Sequence, residues 1–216
     1  MQKHGKFITF EGIEGTGKTT QIQKINDHFL KKGMTVFLTR EPGGTKLGNE
    51  LRSLLLEKRS EKVEPLTELF LMEAARAQHV SLVLKKALRE NDLILCDRFI
   101  DATVAYQSGG RGLDQSLVLK VNEHASFGIR PDLTILLDMP VKTALKRALL
   151  RSEKTLGCKE DRFEHETLQF HERVRKTYLE LAQSNPKRFL IVDASQPQEQ
   201  IFLKIIAHVE SKVEFI

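Results

Sequence analysis

The chain has 216 residues, 40% of them hydrophobic and 29% charged, with a formal net charge of +5. That balance supports a full core in one domain, residues 1–216, and excludes a disordered chain. No apolar run approaches the roughly 20 residues of a membrane span, and MQKHGKFITF has no leader-like apolar stretch, so a cytoplasmic location is expected. Lys and Arg are spread among acidic neighbours with no interleaved aromatic platform. Such a surface suits small anionic substrates, not polymeric nucleic acid or a membrane. Cys96 sits in an apolar run and Cys158 in a charged segment, which argues against a disulfide framework or a zinc site.

In chain order, Lys6 to Glu11 (KFITFE) reads as a strand running straight into a glycine-rich loop. Ile22, Ile25, Phe29 and Leu30 then recur at helical spacing up to Gly33, a C-terminal cap. Met34 to Thr39 is the second expected strand, and Leu47, Leu51, Leu54 and Leu55 mark an amphipathic helix. A long apolar helix is expected from Pro65 to about Glu90, a third strand over Leu93 to Asp97, and a helix around Val118 and Val121. Leu133 to Asp138 is the fourth strand, with Pro140 opening the next helix. A helix from about Glu164 to Gln183, the strand Phe189 to Asp193 and a closing helix from about Gln198 complete the pattern. Strands that are continuously apolar are buried on both faces, the mark of a parallel sheet covered by helices. Ligands then belong at the carboxyl ends of the strands. Arg151 to Glu160 (RSEKTLGCKE) reads as a polar excursion.

Gly12-Ile13-Glu14-Gly15-Thr16-Gly17-Lys18-Thr19 fits G-x-x-x-x-G-K-[ST] without mismatch. Here glycines let successive N–H groups turn around a phosphate, Lys18 supplies positive charge, and the Thr19 hydroxyl can ligate Mg²⁺. The helix that begins at Lys18, Thr19 and Thr20 adds its N-terminal dipole. By average composition a chance match in such a chain is on the order of one per cent, and this one falls on the required strand–loop–helix junction. It points to a nucleoside triphosphate. The chain contains neither the N-K-x-D nor the D-x-x-G of switch GTPases and is short for a motor ATPase, which favours a small phosphotransferase over a non-catalytic nucleotide sensor.

Three further motifs follow strands or close the excursion: Thr39-Arg-Glu-Pro-Gly-Gly-Thr45, Asp97-Arg98 running on to Tyr106-Gln107, and Asp161-Arg-Phe-Glu164. Together with FEGIEGTGKTT they resemble thymidylate kinase, across almost the whole chain. Adenylate kinase, another small phosphotransferase, offers no TREPGG. The resemblance implies an α/β P-loop kinase fold, with a parallel five-stranded sheet flanked by helices on both faces and a lid over about 147–163. It also implies transfer of phosphate from Mg-ATP to dTMP, and a homodimer.

Residue by residue, Asp97 ends a buried strand where a carboxylate can hold Mg²⁺ with Thr19, and Arg98 points a guanidinium fork at the acceptor phosphate. The family pattern gives Arg52 as a second phosphate ligand and Arg76 as the reader of the thymine O4. Met72 stands where the family usually has an aromatic ring on the base, and Phe70 reads as core. Thr103 and Gln107 match positions lining the base, Tyr106 one against the sugar, and Ala102 one usually held by Ser. Glu41 resembles a residue near the acceptor, where it could position Mg²⁺ or an arginine. His165 and His171 read as surface.

Transfer between two phosphates needs no general base, because the acceptor oxygen is already anionic; positioning and charge neutralisation carry it. The phosphate loop of this chain has no arginine at positions 13–16. Arg147 and Arg151, which share a helix face, resemble the lid arginines of the bacterial type and are the expected source of that charge.

Overall fold

The structure, a computed structural model, describes residues 5–57, 60–154, 162–163 and 165–212, with 151–154 and 212 described by backbone alone. Five strands, β1 (Lys6–Glu11), β2 (Val36–Arg40), β3 (Leu93–Asp97), β4 (Leu133–Asp138) and β5 (Phe189–Asp193), form one sheet in the order β2-β3-β1-β4-β5. Every pairing is parallel. The helices are α1 (Lys18–Lys31), α2 (Lys46–Leu56), α3 (Pro65–His79), α4 (Lys85–Glu90), α5 (Ile100–Thr103), α6 (Gln115–Ser126), α7 (Val141–Lys154), α8 (Leu168–Ser184) and α9 (Gln198–Lys212). Among the described residues no helix is long and apolar enough to cross a membrane.

Successive side chains of a strand point to opposite faces, and here both faces are dry. Phe7 joins Val80, Leu84, Leu88, Ile94, Cys96 and Phe99 on one side. Ile8 and Phe10 join Ile22, Ile25, Phe29, Val174 and Tyr178 on the other. This double burial is why the strands lack polar alternation.

Four strands lie where the sequence places them. The second starts later, at Val36, because the Met34 N–H donates to the Phe29 carbonyl (3.1 Å) and so belongs to the end of α1, where Gly33 takes φ 80. The long helix is interrupted by a wide π-type turn, Val80–Leu84, between α3 and α4. The segment after Arg98 is helical, α5 continuing into a second π-type stretch, Val104–Gly110. β-branched residues and a Gly-Gly pair hide that helix from propensity. The glycines have a packing reason, since a Cβ on Gly109 would lie 2.1 Å from Thr177 Oγ1 and one on Gly110 2.5 Å from the Phe170 ring. Helix α8 begins at Leu168, where the Thr167 hydroxyl caps the Phe170 N–H at 3.2 Å; Glu164, the expected start, lies outside the described residues.

Phe70 is not core: it is 53% exposed on the outer face of α3. His171 is not surface: it is fully buried on α8. Its Nε2 hydrogen-bonds the Phe163 carbonyl at 3.0 Å, and its Nδ1 faces Glu14 Oε2 at 3.5 Å without forming a hydrogen bond. Its pKa is lowered, burial outweighing the Glu14 carboxylate. His165 is exposed as expected. Cys96 is buried and unpaired, and Cys158 lies outside the described residues.

Candidate active site

Residues Gly12 to Gly17 leave the end of β1 and turn into α1. Gly15 takes φ 77, and a Cβ there would lie 1.9 Å from the Ala144 carbonyl. Only glycine lets the loop rest directly on the backbone of α7. The N-cap of α1 is Gly17, which offers no capping side chain, so the first-turn N–H groups of Lys18, Thr19 and Thr20 belong to the loop. Lys18 Nζ is buried and donates to the carbonyls of Gly12 (2.9 Å) and Ile13 (3.0 Å); the Thr16 hydroxyl also donates to Ile13 (2.9 Å). Burial and the Arg98 guanidinium push the Lys18 ammonium down to about 8, against the pull of Asp97, Glu14 and Glu11. It is still largely charged at neutral pH.

Parallel register sets the end of β3 beside this loop, Asp97 pairing with Phe10. Thr19 Oγ1 lies 3.2 Å from Asp97 Oδ2, which brings a hydroxyl and a carboxylate together at the expected Mg²⁺ position. The next residue, Arg98, has φ 68. A left-handed arginine costs on the order of 1–2 kcal/mol, so its surroundings must hold it there. Its Nη2 donates to Glu14 Oε1 (2.7 Å) and to the Tyr106 hydroxyl (3.0 Å), and its Nη1 to the Tyr178 hydroxyl (3.2 Å). Its guanidinium also sits 4.8 Å from the centre of the Tyr106 ring. Tyr106 in turn donates to both Glu14 oxygens (2.7 and 2.8 Å). Burial alone would raise the Glu14 pKa, but Arg98, Lys18 and the Tyr106 hydroxyl outweigh it and hold the carboxyl below its usual range. Glu14 therefore does more than occupy a loop position: its side chain joins the triphosphate loop to Arg98.

Behind this pair lies a buried polar layer centred on Arg76. Its Nε donates to Glu41 Oε2 (2.7 Å), its Nη1 to Glu73, Thr103 (2.9 Å) and Asn122 (2.6 Å), and its Nη2 to the Phe99 carbonyl (3.1 Å). Although burial would lower its pKa, Glu73 and Glu41 raise it. Glu41 hydrogen-bonds both this arginine and His79 Nδ1 (2.8 Å). Thr103 is in the layer, donating to Glu73 (3.0 Å). Gln107, fully buried, donates to Glu68 (2.9 Å), and Glu68 also receives Arg111 (3.0 Å) and Arg162 (2.6 Å). Met72 is half-buried against the main core. Arg52 donates to the Pro42 carbonyl at 3.1 Å, beside the TREPGGT loop.

On the lid side, Arg147 Nη1 donates to the Ala194 carbonyl (2.9 Å), tying α7 to the loop after β5. Arg151 stands on α7 one turn beyond Ala148, and its side chain lies outside the described residues.

The family model described as Thymidylate kinase matches residues 10–205. The chain belongs to the thymidylate kinase family. It is 48% identical over 209 residues to the thymidylate kinase of Geotalea uraniireducens, covering 97% of this chain and 98% of that relative. It is 53% identical over 190 residues to that of Geotalea daltonii, covering 88% and 89%. Among solved structures, the crystal structure of thymidylate kinase from Ehrlichia chaffeensis superposes with a TM-score of 0.75 at 31% identity, over 95% of this chain and 99% of that one.

In this thymidylate kinase family member, then, the structure brings Gly12 to Thr20, Asp97, Arg98 and Tyr106 to one edge of the sheet, with Glu41, Arg76 and Thr103 directly behind. The sequence reading missed the carboxylates and hydroxyl that hold the arginines: Glu11, Glu68, Glu73, Tyr178 and the side chain of Glu14. One signal was available. A carboxylate at the end of an apolar strand is costly without a partner, so FEGIEG already implied a cation or donors nearby.

Proposed function

We infer that the protein is a thymidylate kinase that transfers the γ-phosphate of ATP to dTMP, giving dTDP and ADP on the way to dTTP. Beside family membership, the supporting observation is that Glu14 of the triphosphate loop and Arg98 of the D-R pair are joined at 2.7 Å, which sets a donor cradle and an acceptor grip side by side.

The loop amides and Lys18 hold the donor phosphates, and Arg98, with Arg52 beside the TREPGGT loop, holds the acceptor phosphate so that its anionic oxygen faces the γ-phosphorus. Asp97 at the end of β3 and Thr19 in the first turn of α1 are hard oxygen ligands, a set that suits Mg²⁺, which keeps several waters and takes the rest from phosphate. When bound, that cation neutralises phosphate charge. Arg76, Thr103, Gln107 and Met72 form the base pocket, and Tyr106, fixed on Glu14, lies against the sugar.

Because Ala144 and Ala148 of α7 pack on Gly15, the helix carries Arg151 past the loop. We assign the transition-state charge to Arg151 and the anchoring of α7 to Arg147. Arg151→Ala is expected to lower kcat by about 10²-fold, the scale of one lost transition-state donor, with little change in KM for either nucleotide. Arg147→Ala should move kcat less and raise KM for ATP. If steady-state kinetics show less than a tenfold drop in kcat for both, the lid does not supply the charge.

The outer face of α3 exposes Leu66, Phe70 and the small Ala74, and the π-type turn that follows exposes Leu82, an apolar stripe. A second copy of the chain is the proposed cover, giving a symmetric homodimer. Phe70→Glu should convert a dimer of the wild type to a monomer in analytical ultracentrifugation; a wild type that sediments as a monomer rules the interface out.

The activity itself is tested by coupled ADP release across dTMP, dUMP, dCMP, AMP, GMP and CMP. Strongest stimulation by dTMP is expected, and preference for AMP or GMP would overturn the substrate.

A further inference from the structure

Glu11, the last residue of β1, has no assigned contact with either nucleotide, yet it brackets Arg98 from two sides. It is fully buried. Its Oε1 accepts the Phe99 N–H at 2.8 Å, one residue beyond Arg98, and its Oε2 accepts the Tyr178 hydroxyl at 2.7 Å. The Tyr178 oxygen in turn accepts from Arg98 Nη1 at 3.2 Å. With the Arg98 N–H donated to the Phe10 carbonyl at 3.0 Å, both the left-handed backbone and the guanidinium of Arg98 are tied to the end of β1.

We propose that Glu11 is a positioning residue for Arg98, holding the guanidinium aimed at the acceptor phosphate by anchoring the Phe99 N–H and the Tyr178 hydroxyl. The proposal rests on Arg98 being the ligand of that phosphate. Stability does not account for the carboxylate. Burial and the nearby Asp101 push the Glu11 pKa from 4.5 up to about 7, against Arg98, the Tyr178 hydroxyl and the Phe99 N–H. The charged and titratable groups around it are Asp101 of α5, itself paired with Arg188, then Arg98, Tyr178 of α8, Lys18 of α1 and Cys96 of β3. Because the folded pKa lies above the unfolded one, the stability Glu11 contributes is present below about 4.5 and is lost as pH rises through about 7. At pH 8 the ionised group no longer stabilises the fold.

Glu11→Gln keeps the shape but offers one carbonyl acceptor in place of two carboxylate oxygens, and Tyr178→Phe removes only the hydroxyl. Calorimetric titrations of dTMP and of thymidine, which lacks the phosphate, into full-length wild type and both variants at pH 8 test the role. Affinity for dTMP is expected to fall about tenfold in Glu11→Gln and about threefold in Tyr178→Phe, while thymidine stays within about twofold. Unchanged dTMP affinity in both variants would overturn the proposal, as would equal losses for dTMP and thymidine, which mark a general distortion of the pocket. Should Glu11→Gln not fold, Tyr178→Phe decides by the same comparison. If wild type binds thymidine as tightly as dTMP, Arg98 is not a phosphate ligand, and that reading fails together with the role of Glu11.

Discussion

Arg98→Ala is expected to lower kcat/KM for dTMP by about 10³-fold while KM for ATP stays within about threefold. Two losses add. A guanidinium fork on a phosphate is a charge-assisted, two-bond contact worth more than a neutral hydrogen bond, and here it grips a group whose charge changes during transfer. Removing it also takes away the cation 2.7 Å from Glu14, so that carboxylate, still held by the Tyr106 hydroxyl, is no longer neutralised where the acceptor phosphate arrives. Alanine would relax nothing useful in return, because the left-handed backbone at this position suits it no better. Steady-state kinetics with each substrate varied separately give the answer; a drop of less than tenfold for dTMP would mean that the acceptor phosphate lies elsewhere.

Arg76→Ala should be the most damaging single change to the fold among the site residues. Arg76 is 3% exposed, and its guanidinium neutralises Glu41 and Glu73 together while bonding Thr103, Asn122 and the Phe99 carbonyl. Breaking a buried pair by removing one partner costs about 3–5 kcal/mol, because the charge left behind has no water to turn to. In a chain of this length that is roughly a 10 °C fall in Tm. Burial already raises the Glu73 pKa, and Arg76 is the main influence opposing it. In the mutant Glu73 therefore becomes a still weaker acid, and part of the lost stability should return as pH falls and the carboxyl takes up a proton. A thermal scan at pH 8 and pH 5.5 checks both parts: a fall of under 3 °C at pH 8, or a larger deficit at pH 5.5, contradicts this account of the layer.

The difference between Arg98 and Arg76 shows what could be read from the chain and what could not. Arg98 stands in a D-R motif at a strand end, and Arg76 was marked only by the family pattern on an apolar helix. Their partners were not legible, since Arg98 meets Glu14 across 84 positions and Arg76 meets Asn122 across 46, distances that only the folded sheet closes. The strands were legible because burial on both faces removes polar alternation, and β2 began late only because Met34 is held by the end of α1. Phe70 and His171 were misplaced for a common reason. Residue type fixes what burial costs, whereas the packing partner decides whether it happens. α3 turns Phe70 outward, and the Phe163 carbonyl gives His171 a partner inside.

Two phosphate grips face one another across the ends of β1 and β3, and inhibition by adenosine and thymidine joined through five phosphates measures that most directly. Such a molecule should compete with both ATP and dTMP and bind far more tightly than either, and Arg98→Ala should abolish its competition with dTMP. Competition with ATP alone, with dTMP unaffected, would show that the second grip is not where Arg98 is.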